Sequence, residues 1–405
     1  MNDVSAMRRV RIKDVLVEVG PRSKTGKGLP LSMTQDRGLI PTSEANVANP
    51  PSTYIGAKKV IPGDLVFNKL KAHLGVFAVS DYSGLVSPDY AVYRLKRDGV
   101  DIRYLNYLFH TPEYIDEFIL RRSGVADGLK RLYTRELFQV SIPLPPKSLQ
   151  SSIVNFLDAK CAEIDKAIEA AEASIEEYKL YKKSVIFQAV TKGLDPNAPM
   201  KDSGIEWIGE MPASWRSCRG KDVLNHLSRK TEEGDGIVTC FRDGEVTLRS
   251  NRREEGFTVA EKEFGYQGIE PGDLVVHGMD GFAGSIGVSD SRGKGSPVLN
   301  VLDSDENKRF LMYYLRGLAY RDVYMAMSTG IRIRSCNLNW KKLSELSFEI
   351  PERTEQDKIA AFLDMKCAEI DRAIEAKQII IEELKSYKKS LIWETVTGKR
   401  EVSCL

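Results

Sequence analysis

One stretch of this chain is written twice, and nothing else in it limits the possible folds as tightly. Phe156–Ala170 reads FLDAKCAEIDKAIEA and Phe362–Ala376 reads FLDMKCAEIDRAIEA, identical except at Ala159/Met365 and Lys166/Arg372. The offset of 206 holds without a gap from Ser141/Ser347 to Val190/Val396. A repeat of this length sets the architecture before any single element is assigned.

Within each copy the apolar positions recur at alternating steps of four and three: Leu157, Cys161, Ile164, Ile168, Ala171, Ile175 and Tyr178, then Leu363, Cys367, Ile370, Ile374, Ile381 and Leu384. This is a heptad seam. No Gly or Pro interrupts Lys147 to Lys192 or Glu352 to Thr397, and the spacing residues are good helix formers. Each run predicts one helix of roughly 40 residues, about 60 Å long. Pro145-Pro146 and Pro351 open the helices, and Gly193 and Gly398 close them. A long helix with one apolar stripe needs a partner, and the other copy is the obvious one; two separate coiled coils with other proteins are the alternative. If the segment between the copies folds compactly, the helices run antiparallel and the chain has a pseudo-two-fold axis. The paired seam should then bury Leu157, Ile164, Ile168 and Ile175 against Leu363, Ile370, Ile374, Ile381 and Leu384. Lys182-Lys183 and Lys388-Lys389 sit where they favour the C-terminal helix dipole or meet acids or phosphates of partners.

At 405 residues there is room for two or three domains, and 42% hydrophobic with 29% charged residues is ordinary for a globular chain. No apolar run has the length of a membrane span and the opening MNDVSAMRRVRIKDV has no signal core, so a cytoplasmic protein without a membrane partner is expected. The six cysteines form no CxxC and have no His at ligand spacing, which suggests neither a metal site nor a disulfide framework. Net charge, +2, leaves nucleic-acid binding to local clusters.

The stretches outside the helices also repeat. Short β-like runs (Val15–Val17, Leu29–Met33, Asp64–Phe67, Gly75–Val79, Tyr90–Leu95) precede a helix-like stretch from Ile102 to Arg121. PGDLV at Pro62 returns at Pro271, and VSD at Val79 returns at Val288. The fold class is therefore α+β: two similar globular domains separated by two long antiparallel helices in a pseudo-two-fold internal repeat. The expected divisions are a first globule at 1–141, a helix at 142–194, a linker and second globule at 195–347, and a helix and tail at 348–405. Loops differ where frameworks agree: SMTQDRGLIPTSE from Ser32 faces CFRDGEVTLRSNRREE from Cys240, and ADGLKRLY from Ala126 faces RIRSCNLN from Arg332. One scaffold carrying two loop sets suits two recognition surfaces.

The order globule, helix, globule, helix, the helix-opening segments IPLPPKSLQSSIVNFLD and IPERTEQDKIAAFLD, the KKSVIFQAVTKGL tail and the KDSGIEWIGEMPASW linker together resemble the specificity subunit of Type I restriction-modification systems. The resemblance spans essentially the whole chain. It implies that each globule is a target recognition domain reading half of a bipartite site in double-stranded DNA. It further implies helices that set the spacer and dock two methyltransferase subunits, with restriction/translocase subunits joining the assembly. The chain itself would be non-catalytic and hold no cofactor; S-adenosylmethionine, ATP and Mg are expected on the partners.

A reader of DNA needs Lys and Arg for phosphates and Arg, Asn, Gln, His or Ser/Thr for base edges. The candidates are Gln35, Arg37, Lys69, Lys71, His73, Arg122, Lys130 and Arg131 in the first globule, and Arg242, Arg249, Arg252, Arg253, His277, Arg332 and Arg334 in the second. Helix-end residues off the seam, Phe187, Ile392 and Trp393 among them, are candidates for partner docking or for packing on the globules.

Two rival classes are a coiled-coil adaptor that binds only protein and a DNA adenine methyltransferase. The second rests on Asn49-Pro50-Pro51-Ser52, which resembles the Asn-Pro-Pro-aromatic signature whose aromatic stacks on a flipped base. Ser stands in place of the aromatic, the preceding residues are polar, and no Gly-rich cofactor loop precedes them.

Overall fold

The computed structural model describes residues 9–35, 37–45, 51–124, 130–252, 264–326 and 338–402. The chain divides into two compact units, Met1–Ala171 with Ile379–Leu405, and Glu172–Gln378. The division passes through both long helices, Lys147–Lys192 and Arg353–Val396, rather than between helices and globules. Their limits follow the uninterrupted Gly-free and Pro-free runs, and Gly193 and Gly398 terminate them at φ 72° and 77°.

Among the described residues each unit is built on a four-stranded antiparallel sheet of the same order. In the first unit this is Leu16–Val19, Ala91–Leu95, Leu65–Phe67, Phe77–Val79; in the second it is Asn225–His226, Leu299–Asp303, Leu274–His277, Ile286–Val288. Three two-stranded pairs recur beside each sheet. Leu31–Met33 with Leu39–Pro41 corresponds to Val238–Cys240 with Val246–Leu248, and Lys58–Val60 with Gly84–Val86 to Gln267–Ile269 with Gly293–Gly295. Arg9–Arg11 with Ser141–Pro143, which closes the first globule onto its helix, corresponds to Arg216–Arg219 with Ser347–Ile350.

The repeated PGDLV has a structural reason. Gly63 and Gly272 take φ of 88° and 89°, a turn that disfavours a Cβ. The following Asp64 and Asp273 accept from the backbone N–H of Ile61 (3.0 Å) and Glu270 (2.8 Å) and hold Arg94 and Arg229 as ion pairs.

The FLD motif and the glutamine before it dock each globule on its own helix. Gln150 accepts from the Asp101 N–H (2.8 Å) and donates to the carbonyls of Pro145 (2.7 Å) and Gly99 (3.1 Å). Gln356 repeats this with the Asn307 N–H (2.9 Å), the Pro351 carbonyl (2.9 Å) and Glu306 (2.6 Å). Asp158 accepts from Tyr107 (2.7 Å) and Arg103 (3.1 Å); Asp364 accepts from Tyr313 (2.7 Å) and Arg309. Burial, then the hydrogen bond to the carboxylate, pushes both tyrosine hydroxyls well above their ordinary range.

Below the docking sites, segments of the two helices pair inside each unit. Lys388 bridges to Asp165 at 2.7 Å in the first, and Lys182 to Asp371 at 2.6 Å in the second, the two pairs being related by the repeat offset. These lysines thus bind the facing helix rather than only the helix dipole. Leu157, Ile164, Ile175, Leu363, Ile370 and Ile381 are buried as the heptad requires. Ile168, Ile374 and Leu384 are only half-buried. Leu157 and Leu363 lie in clusters that join globule residues to both helices, because docking brings apolar strand and helix faces over the opening turns.

The stretch Ile102 to Arg121 is two helices, Ile102–Phe109 and Pro112–Arg121, not one. Pro112 lacks the N–H a continuous helix needs, so the chain breaks at Thr111 and restarts with Pro in the first turn. In the second unit Leu318 occupies the corresponding position, and Lys308–Tyr320 is continuous. The linker is ordered too: Met200–Asp202 pairs with Glu210–Pro212, and Trp215 is buried with its indole N–H on Glu355 (3.2 Å).

Gln150 and Gln356 are fully buried, and truncation leaves buried backbone groups unpaired at about 1–3 kcal/mol each. Gln150→Ala and Gln356→Ala are each expected to lower the urea midpoint of their unit by the equivalent of about 2–3 kcal/mol. Lys182→Ala, which removes a more exposed ion pair, should cost about 1 kcal/mol or less.

Candidate nucleic-acid interface

At one edge of each unit three loop elements meet, held by corresponding hydrogen bonds. The first element is the tip of a five-residue hairpin loop. Thr34 N–H donates to Gly38 O (2.8 Å) in the first unit, and Phe241 N–H to Glu245 O (2.8 Å) in the second. The second element, the central loop, joins the third and fourth strands of each sheet in the spatial order given for it, with a short 3₁₀ turn at Ala72–Leu74 or Gly281–Ala283. Asn68 Oδ1 caps this loop in the first unit, accepting from the N–H groups of Leu70 (3.2 Å) and Lys71 (3.3 Å). His277 Nδ1 does the same in the second, accepting from Met279 (3.3 Å) and Asp280 (3.0 Å). The third element returns from the helices: Leu132 N–H donates to Lys69 O (2.9 Å), and Leu338 N–H to Gly278 O (2.8 Å).

The predicted residues of the first globule gather on these elements. Gln35 is exposed at the hairpin tip and donates to Leu74 O (3.1 Å), tying hairpin to loop. Arg37, two residues on, donates to Glu44 O (2.6 Å). Lys69, Lys71 and His73 line the central loop, and Lys130 and Arg131 lie on the return segment, Arg131 being 4.0 Å from Asp89. Ser123 and Arg131 exchange backbone hydrogen bonds, which brings Arg122 to the base of the same edge. His73 is held below the ordinary histidine range by burial and by the charge of Arg122, and Lys69 below its own by burial and then Lys58. His73 Nδ1 and Arg122 Nε are buried without a hydrogen-bond partner.

In the second unit the charge has moved from loop to hairpin. The positions of Lys69, Lys71 and His73 are taken by Gly278, Asp280 and Phe282. A cleft of about 910 Å³ opens beside the hairpin, lined among others by Arg242, Arg249, Arg252, His277, Asp243 and Asp280. Arg242 pairs with Asp280 (3.1 Å), and Arg252 with Asp243 and Glu245 while its guanidinium lies 4.3 Å over the Phe241 ring. Arg249 donates to Thr239 (3.4 Å). Burial pushes the Asp243 carboxyl up, but Arg252, the Glu245 N–H and Arg316 together hold it below the usual range. Arg253, Arg332 and Arg334 lie outside the described residues, as do Asn49 and Pro50 of the Asn-Pro-Pro-Ser tetrapeptide.

Sequence reasoning missed the supports under these loops. Arg316, buried in the helix Lys308–Tyr320, donates to Asp243 O (2.6 Å) and to the Tyr320 hydroxyl (2.7 Å), and so fixes the hairpin tip from below. His110 holds the corresponding place in the first unit and sits 3.1 Å from Gly75 O. An arginine inside the otherwise uncharged stretch Phe310–Tyr320 was the available signal.

The docking candidates are half-buried at corresponding helix ends. Phe187 carries the guanidinium of Arg321 at 5.0 Å, and Trp393 carries the ammonium of Lys399 at 3.7 Å and donates to Glu113. Ile392 packs against the first unit's core.

No family model matches the sequence. Among solved structures, a chain described with complex assembly and conformational transition of the type I R-M system matches with a TM-score of 0.71 at 16% identity, covering 97% of this chain and 98% of that one. The HsdS subunit from Thermoanaerobacter tengcongensis matches with a TM-score of 0.53 at 18% identity, over 97% of each chain. This chain has the HsdS fold. The paired loop edges are therefore features of an HsdS fold whose two units have kept their framework and changed their side chains. Among the described residues no helix is long and apolar enough to cross a membrane.

The neutral His277 ring caps a loop, and burial, then Arg242, holds it below its ordinary value of 6.5, against the pull of Asp280. The unfolded chain then binds the proton first as pH falls, so this contribution to stability is full above about pH 6.5 and declines below it. His277→Asn, which borrows the acceptor used by Asn68, is expected to flatten the loss of thermal stability of the second unit between pH 7 and 5. Parallel wild-type and variant melting curves across that range would contradict the capping role.

Proposed function

We propose that this chain is the DNA-specificity subunit of a type I restriction-modification assembly, each unit reading one half of a bipartite site in double-stranded DNA. The observation that carries the reading is the recurrence of one three-part loop edge on both units of an HsdS fold, with the side chains changed between them. The charges on those edges suit the task. Exposed pairs such as Arg242–Asp280 and Arg252–Glu245 contribute about 0–1 kcal/mol, so exchanging a carboxylate for a phosphate oxygen or a guanine edge costs little. His73, Arg122, Lys69 and Lys71 supply phosphate contacts for the first half-site.

The long helices set the unread spacer and dock two methyltransferase subunits, with restriction/translocase subunits completing the assembly. The chain itself performs no chemistry; S-adenosylmethionine, ATP and Mg belong to the partners, and the complex works in the cytoplasm. Replacing residues 201–346 by the equivalent domain of a relative is expected to change one half of the methylated motif and leave the other, read by methylome sequencing of a host carrying the intact system. A change in both halves would sink the division of labour.

Docking draws on Phe187 and Trp393, which the repeat places at corresponding positions. Phe187→Ala and Trp393→Ala are each expected to reduce assembly with methyltransferase subunits, measured as complex mass in solution, while circular dichroism of the isolated chain is unchanged. A one-to-one complex for the unmutated chain would remove the two-partner reading.

A further inference from the structure

Resting on the specificity-subunit reading, we propose that Gln35 and Arg242 are corresponding base-reading positions, and that they assign an A·T pair to the first half-site and a G·C pair to the second. The correspondence is set by backbone geometry. In the first unit Leu31, Ser32 and Met33 pair with Pro41, Ile40 and Leu39; in the second Val238, Thr239 and Cys240 pair with Leu248, Thr247 and Val246. Five residues connect the strands in each case, and the same bond closes the loop, from its first N–H to its fifth carbonyl. Gln35 and Arg242 are both the second residue of that loop and both are exposed.

Each side chain is also anchored on the same loop, at the end of its 3₁₀ turn in the first unit and at the start in the second. Gln35 Nε2 donates to Leu74 O at 3.1 Å, and an Arg242 guanidinium N–H donates to Asp280 Oδ1 at 3.1 Å, both on the central loop. One bond to the floor orders the side chain before DNA arrives and leaves its recognition groups free. Gln35 keeps its carbonyl oxygen and a second amide N–H, the acceptor and donor that match adenine N6 and N7. Arg242 keeps further N–H donors, which match guanine O6 and N7. A framework that presents one hairpin position with the same backbone closure in two units and fills it with two chemistries discriminates at that position.

The test uses the complex with its methyltransferase subunits, comparing methylated motifs of wild type, Gln35→Arg and Arg242→Gln. Gln35→Arg is expected to move the preference at one position of one half-site from A·T to G·C, and Arg242→Gln to do the converse in the other half. Either variant keeping the parental preference at every position overturns the assignment. For a variant that no longer methylates, the purified complex is titrated against duplexes carrying single substitutions along the wild-type motif. Discrimination falling about 10- to 100-fold at one position only supports the assignment, and uniform weakening at all positions overturns it. A wild-type complex with no bipartite motif at all removes the specificity-subunit reading, and this assignment with it.

Discussion

Everything the two loop edges present depends on how firmly each globule sits on its own helix. That seat is a carboxylate and an amide on one helix face: Asp158 with Gln150, and Asp364 with Gln356. A buried amide with three backbone or side-chain partners tolerates little displacement, because any shift leaves several groups unpaired at once. The apolar contacts around it, Leu157 and Ile153 in the first unit and Leu363 and Ile359 in the second, supply area without direction. The polar pair supplies direction. This is why the duplicated sequence is most alike in the opening half of each helix, where globule and helix meet.

Above that seat three exchanges between the units change how the loops are held. Pro112 against Leu318 decides whether one helix or two supports the central loop. His110 against Arg316 decides which loop is held from beneath: an imidazole on the central loop, or a guanidinium on the hairpin. Asn68 against His277 keeps the same cap with different chemistry. The cap keeps its hydrogen bonds to backbone, His110 and Arg316 move theirs from one loop to the other, and Pro112 breaks a helix, so the presented surface changes while the strands stay in register.

The long helices were legible because heptad spacing and the lack of Gly or Pro leave no competing structure over 40 or more residues. The short strands were less so. Lys58–Val60 and Gly84–Val86 are three residues each, with Lys and Gly where alternation would be read, and their pairing is set by tertiary context. The apolar period runs on across Pro112, so the pattern argued for one helix while the missing N–H enforced two. Of the candidate site, charge and loop position found Gln35, Arg242 and Arg252. They could not show that His277 serves backbone N–H groups two and three residues on, or that Arg316 reaches Asp243 from 73 residues away.

The way the chain is partitioned bears on how it comes to be folded during synthesis. The second unit, Glu172–Gln378, is one uninterrupted stretch, whereas the first unit's core includes Leu391 and Val396, buried beside Ile153 and Val154. The globule translated first therefore lacks part of its interior until the whole second unit has left the ribosome. Order of completion is the reverse of order of translation, and the half-finished first unit must hold an apolar surface open for roughly the time taken to make 200 residues, at about 5–20 residues per second.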